Sequence, residues 1–234
     1  MATTPFLPDT LPYVTLLIFV LGMAWRVSRW YRGAVAPTLL FPLPETKIGR
    51  CKRAVLELCL LRGTHASDFG LWIGAWPLHV ALALIAVGHV RAFVDFPRLW
   101  QAIGLTPADV DTLAGVTGGA VGLAVMVACI YLLGRRALVR RVREITTFED
   151  VFTLVLLLAV IVSGNLMRFG SHVDLELVRA YFASLAALHP VPMPAVPGFA
   201  THFLLAQLLA VWAPWSKLVH IPGVFAAKMT LCGH

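Results

Sequence analysis

Residues 71–90 read LWIGAWPLHVALALIAVGHV. As a helix this stretch is long enough to cross an apolar layer of roughly 30 Å. It holds no charged residue, yet it carries His79 and His89, ten positions apart. A second stretch, residues 199–220, reads FATHFLLAQLLAVWAPWSKLVH and places His202 and His220 eighteen apart. Ionisable side chains inside a membrane segment are costly and generally mark function.

Composition supports a membrane chain. Of 234 residues, 59% are hydrophobic and 13% charged, and mean hydropathy is +0.82. A soluble domain would carry about a quarter charged residues. The net charge of +7 does not point to nucleic acid. The cations cluster beside apolar segments, where the positive-inside rule accounts for them.

Five segments qualify as spans: Leu11–Val27, Leu71–Val90, Leu113–Leu133, Val151–Met167 and Phe199–Trp215. Arg26, Arg29, Arg32, Lys47, Arg50, Lys52, Arg53 and Arg62 lie between the first two. Arg135, Arg136, Arg140, Arg141 and Arg143 lie between the third and fourth, and Lys217 and Lys228 follow the fifth. The other two loops carry Asp95, Asp109, Asp111, Asp174 and Glu176. Backbone polar groups in lipid must be paired within the segment. The expectation is therefore all-α: an integral membrane five-helix bundle forming one domain over 1–234, with the N-terminus outside and the C-terminus cytoplasmic. The leader before Leu11 shows no cleavable signal pattern.

Arg50–Arg62 alternates basic and apolar positions at helical spacing, as an interfacial helix on the cytoplasmic surface would. Asp174–Leu188 reads as a similar outer element, ended by the proline-rich run at 189–198. Cys51, Cys59, Cys129 and Cys232 form no CxxC or CxxCH, which argues against a local iron–sulfur or zinc motif and covalent haem; with three on the expected cytoplasmic side and Cys129 in an apolar segment, a disulfide framework is not expected either.

In antiparallel spans the histidines fall at two levels: His79 with His220 toward the cytoplasm, and His89 with His202 toward the exterior. At about 100° per residue, 202 and 220 share a face, while 79 and 89 lie about 80° apart. At about 1.5 Å per residue the two separations are about 15 and 27 Å, so tilt or a bend at Pro214 must absorb the difference. A single membrane histidine commonly serves as a helix-packing hydrogen bonder. Four in two level-matched pairs fit two b-type haems, each with both axial positions filled, a form suited to electron transfer. Proton relay in a transporter is a rival reading, but such folds commonly show inverted repeats, and none is visible here. A haem-free membrane anchor is another, and it needs no such quartet. His65, His172, His189 and His234 fall in loops or at the end of the sequence.

These residues resemble a known family. The quartet spacing leads, joined by Pro12-Tyr13, Gly22, Arg26, Gly88-His89, Leu132-Leu133, Arg135-Arg136, Arg141-Val142-Arg143, Thr146-Thr147, Pro214, Ser216 and Leu218-Val219-His220. In order and spacing the chain is similar to the haem b gamma (NarI-type) subunit of respiratory nitrate reductase and to the related DsrM-type membrane cytochromes. Its long cytoplasmic connection is closer to the second branch. Val110, between Asp109 and Asp111, stands near the place where the nitrate reductase subunit has a lysine implicated in quinol binding.

The resemblance implies two haem b, held by His79 and His220 and by His89 and His202. It implies quinol, menaquinol or ubiquinol, oxidised near the outer face, with Gly88, His89, Arg91, Asp95, His172 and His189 as site candidates. Arg26, Arg91 and Arg143 are candidate partners for haem propionates. Electrons would pass to an iron–sulfur subunit on the cytoplasmic face and on to a catalytic subunit beyond it, in a bacterial or archaeal cytoplasmic membrane. Run in reverse, the same parts reduce quinone from a partner such as a hydrogenase or a heterodisulfide-reductase-like protein.

Overall fold

The structure, a computed structural model, describes residues 9–32, 47–171, 173–220 and 223. Those residues are all-helical, with no strand among them. Ten α-helices follow in order: α1 Leu11–Arg32, α2 Lys47–Leu60, α3 Arg62–Ser67, α4 Phe69–His89, α5 Pro97–Ala102, α6 Pro107–Leu138, α7 Arg140–Glu144, α8 Phe148–Gly170, α9 Leu175–Ala186 and α10 Phe199–Trp212.

Among the described residues, four stretches are long and apolar enough to cross a bilayer: Leu11–Trp30, Phe69–Ala92, Pro107–Leu138 and Phe148–Gly170. The fifth expected span is shorter, α10 continued by a 3-10 turn to Trp215. α6 and α8 run past the expected 113–133 and 151–167 because capping boxes start them early. At Thr106 and Thr147 the hydroxyl accepts from the amide of Asp109 and Asp150, and each carboxylate accepts from the threonine amide in return. Leu16, Leu21, Val116, Val127 and Leu166 are more than half exposed. A surface of that kind suits lipid.

Around the bundle the long helices pack in the order α4, α6, α8, α10, α1. The main core joins Leu78 and Ala81 of α4, Val125, Ala128, Cys129 and Leu132 of α6, and Leu157 and Ile161 of α8. Each neighbouring pair also carries a polar tie: Tyr131 Oη to Gly70 O (2.8 Å), Asn165 Nδ2 to Gly122 O (3.0 Å), Trp212 Nε1 to Thr153 Oγ1 (2.9 Å) and Thr15 Oγ1 to Gln207 Oε1 (3.1 Å). Interhelical hydrogen bonds of this kind hold bundles where lipid offers no competing partner. Close approach is demanded at Gly74, whose added Cβ would meet Tyr131 and Leu132 at 2.6 and 2.7 Å. A second core at the other end gathers Tyr181, Val178 and Leu185 of α9 with Phe199 and Met167. Burial pushes the Tyr181 phenol up to about 12.

The element expected over Arg50–Arg62 is α2 and α3, broken at Leu61, whose φ of 48° is left-handed. Trp72 and Trp76 of α4 donate to the carbonyls of Leu60 and Cys59, which ties the end of α2 to the bundle. The element expected over Asp174–Leu188 is α9, capped by Asp174. Cys59 and Cys129 are free thiols.

Asp68 caps α4 through the amide of Leu71 (2.9 Å) and pairs with Arg135 and Arg141. The Leu71 amide, then the Arg135 guanidinium, hold its carboxyl below the ordinary range. A depressed folded value means stability that is present above the ordinary carboxylate pKa and lost as pH falls through the lowered one. Wild-type protein in detergent should thus lose thermal stability below about pH 4, and Asp68→Asn should lose less over that window. Equal acid slopes in the two melting series would exclude this tie as a contributor.

Candidate haem-binding site

The histidines meet in the expected pairs. His79 projects from the middle of α4 and His89 closes that helix. His202 sits in the first turn of α10. His220 follows the 3-10 turn Lys217–Val219, beyond the end of α10. His79 Nε2 lies 3.3 Å from His220 Nε2, with ring centroids 5.5 Å apart and planes at 82°. His89 and His202 have centroids 6.2 Å apart and planes at 27°.

The other ring nitrogen is engaged in every case. His79 Nδ1 reaches Ala75 O at 2.6 Å, His89 Nδ1 reaches Ile85 O at 2.8 Å, and His220 Nδ1 reaches Lys217 O at 2.6 Å. A carbonyl only accepts, so these Nδ1 atoms donate, and each Nε2 keeps a bare lone pair. His202 Nδ1 lies 3.0 Å from Ser163 Oγ and 3.2 Å from Val160 O. Ser163 in turn donates to Val160 O at 2.9 Å, which leaves its oxygen to accept from His202. Fixing the ligand tautomer through Nδ1 is the usual outer-shell device of metal-binding histidine.

This donor set fits a haem iron. At 3.3 Å two facing lone pairs repel unless a proton or an electron-pair acceptor lies between them. A metal held by His79 Nε2 and His220 Nε2 would supply that acceptor. Among the described residues no three of His, Cys, Asp and Glu converge. A pair suffices where a macrocycle supplies the other donors.

The bend at Pro214 brings His220 level with His79. α10 stops at Trp212, Ala213–Trp215 forms a 3-10 turn, and Ser216 is extended. The chain therefore leaves the helix axis, which removes the mismatch between about 15 and 27 Å. α1 holds the bend in place. A Cβ on Gly22 would meet Pro214 Cβ at 2.8 Å, and Arg26 donates to Pro214 O at 2.9 Å. Ser216, fully buried, caps the amide of Leu218.

These features place the chain among known proteins. Residues 65–230 match the model of the nitrate reductase gamma subunit family. The chain belongs to that family. An Hdr-like menaquinol oxidoreductase cytochrome b-like subunit of Archaeoglobus fulgidus is 30% identical, over 92% of this chain and 75% of that protein. The nitrate reductase gamma chain of Bacillus subtilis is 24% identical, over 90% of this chain and 87% of its own length. The respiratory nitrate reductase 1 gamma chain of Escherichia coli is 30% identical, over 65% and 71%. With four apolar helices of spanning length, this member of the family is an integral, multi-pass membrane protein.

The remaining candidates are less gathered. Gly88 and His89 are exposed, and a Cβ on Gly88 would meet nothing within 4 Å. Arg91 is engaged with carboxylates, Asp111 at 3.0 Å and Asp95 at 3.8 Å. Asp95 also accepts from Trp100 Nε1 at 3.0 Å and from the Phe96 amide. The Trp100 hydrogen bond, against some burial, holds its carboxyl below the usual range. A base held that low takes protons poorly near neutral pH, so Asp95 is better suited to accept hydrogen bonds. His189 is exposed beyond the end of α9. His172 lies outside the described residues. Of the propionate candidates, Arg26 is spent on Pro214 O, Arg91 on the two carboxylates, and Arg143 is exposed on α7.

Sequence reasoning missed Ser163, Gly164 and Asp150. A Cβ on Gly164 would lie 3.0 Å from His202 Cε1. The visible signal was Ser163-Gly164-Asn165, a polar and small trio inside the apolar run of α8. Each polar side chain there needs a partner, and the partners are His202 and Gly122 O.

Proposed function

We propose that this chain is the dihaem b-type membrane subunit of a quinol-linked respiratory oxidoreductase. The inner haem belongs to His79 and His220 and the outer haem to His89 and His202. The observation that carries this reading is that each pair stands together, His79 and His220 with Nε2 atoms 3.3 Å apart and His89 and His202 with ring centroids 6.2 Å apart, while every Nδ1 is engaged, which leaves four Nε2 lone pairs for metal. Haem bound by these residues would supply one-electron redox chemistry.

In this reading 1–234 is one domain with five spans. α10 and its 3-10 extension are the fifth, the N-terminus is outside, and the C-terminus is in the cytoplasm of a bacterium or archaeon. Quinol is oxidised beside His89, where Gly88 leaves open ground and Arg91 and Asp95 border it. The arginine-rich side, with Arg140, Arg141 and Arg143 exposed, receives an iron–sulfur subunit, beyond which lies the catalytic subunit. Menaquinol is the favoured quinol, by likeness to the Archaeoglobus protein. The complex is of the nitrate reductase or Hdr-like kind, and quinone reduction is the same chemistry reversed.

One observation favours a second reading. At 3.3 Å, His79 and His220 are close enough to share a proton, as a relay would require. The experiment is to add reduced menaquinone analogue to the purified protein and follow the b-type absorption bands. The proposal expects reduction of both haems, and His89→Ala to slow it. A protein without b-type bands would favour the relay.

A further inference from the structure

The inner pair depends on a segment that no regular helix holds. His220 comes eight positions after Trp212, past two 3-10 turns and the extended Ser216. A ring on such a segment needs fixing from outside. α1 fixes Pro214, but the last turn, Lys217–Val219, lies beyond that contact.

Asp150, in the first turn of α8, has a side chain only 6% exposed. Its Oδ1 accepts from Lys217 Nζ at 2.8 Å. Its Oδ2 faces Arg136 Nη1 of α6 at 3.3 Å and accepts from the Thr147 amide at 3.1 Å. Lys217 is the residue whose carbonyl accepts a hydrogen bond from His220 Nδ1, at 2.6 Å. One buried carboxylate thus joins α6, α8 and the turn that aims His220. Buried carboxylates are retained where charged partners and hydrogen bonds satisfy them, as here. We propose that Asp150 is a positioning residue for the inner haem: acting through Lys217, it fixes the orientation of the His220 ring toward His79. This rests on the reading of His79 and His220 as haem ligands.

The consequence is specific to one level. Without the carboxylate, Lys217, 63% exposed, turns to water and releases the turn. His202 stays held by Ser163 and Val160, which Asp150 does not touch. Outer-shell partners of metal ligands are typically worth roughly 10–100-fold in affinity.

The test uses the full-length protein purified from membranes. Low-temperature electron paramagnetic resonance and a potentiometric titration resolve the two haems, and His79→Ala and His89→Ala assign them. Asp150→Asn keeps an oxygen that can accept from Thr147 while removing the charge. Lys217→Met removes the same pair from the exposed side, while Arg136 and the Thr147 amide still satisfy the buried carboxylate. Both are expected to shift the inner signal and potential and to lower inner haem retention by up to roughly 10-fold, the low end for a partner that acts through another residue, with the outer signal unmoved. Lys217→Arg keeps the charge and is expected to keep wild-type signals. The proposal is overturned if both variants leave the inner signal and potential at wild-type values, or if the outer signal moves as far as the inner. A wild-type protein without b haem overturns the underlying reading and the proposal with it, and the wild-type spectrum alone identifies that case.

Discussion

His79→Ala is expected to abolish the inner haem and leave the outer one in place, and His220→Ala to do the same. The two rings are 141 positions apart in sequence, yet they face each other at 3.3 Å between Nε2 atoms. Removing either leaves one axial imidazole where the arrangement offers two. Outer-shell partners already cost roughly 10–100-fold when lost, so a direct ligand should cost more, and the spectrum should lose the whole component. His89→Ala and His202→Ala are expected to remove the other component, since those rings stand 6.2 Å apart by centroid. The measurement is haem content with redox spectra for the four variants. Loss of both haems by every single change, with the protein still folded, would contradict two independent pairs.

Gly164→Val has the second large effect, through shape alone. A Cβ at position 164 already stands 3.0 Å from His202 Cε1. Real Cβ contacts are seldom that close, and valine adds two methyl groups on a stiff χ1. The His202 ring must leave its place or α8 must move from α10, where Trp212 and Thr153 hold the two helices together. Overpacking of this kind commonly costs about 1–3 kcal/mol. The variant should lose the outer haem and keep the inner. Ser163→Ala makes the contrast. Its hydroxyl is one acceptor of two, because Val160 O stands 3.2 Å from the same Nδ1. A neutral hydrogen bond contributes about 1 kcal/mol net, so this change should shift the outer potential and keep the haem. The check is outer haem occupancy in both variants. If Ser163→Ala removes the haem and Gly164→Val does not, hydrogen bonding rather than shape governs the site.

Much of this was legible in the sequence, because a bilayer imposes simple rules. Apolar length marked the four long helices, while the fifth expected span is shorter, and a charge-free run made His79 and His89 conspicuous. The spacing of ten and eighteen predicts the pairing, and the structure brings those pairs together. The axial mismatch was legible too, with Pro214 as its remedy. The manner of the remedy was not. Gly22 and Arg26 of α1 hold the bend, and contacts between residues so far apart in sequence leave no periodic trace. Asp150, missed in the sequence, starts α8 through its capping box with Thr147. Its second role depends on Lys217 arriving from another segment. Arg91 read as a candidate for the quinol site and for a haem propionate, yet its guanidinium donates to Asp111, twenty positions on. Leu61, where the amphipathic stretch breaks, carries no glycine or proline to announce the turn.

The most direct test of the central claim is the haem content of the purified wild-type chain, read with its reduced-minus-oxidised spectrum. The account predicts two b haems per chain, with one lost in His79→Ala or His220→Ala and the other in His89→Ala or His202→Ala. Absence of haem from wild type, or haem that survives all four changes, would contradict it.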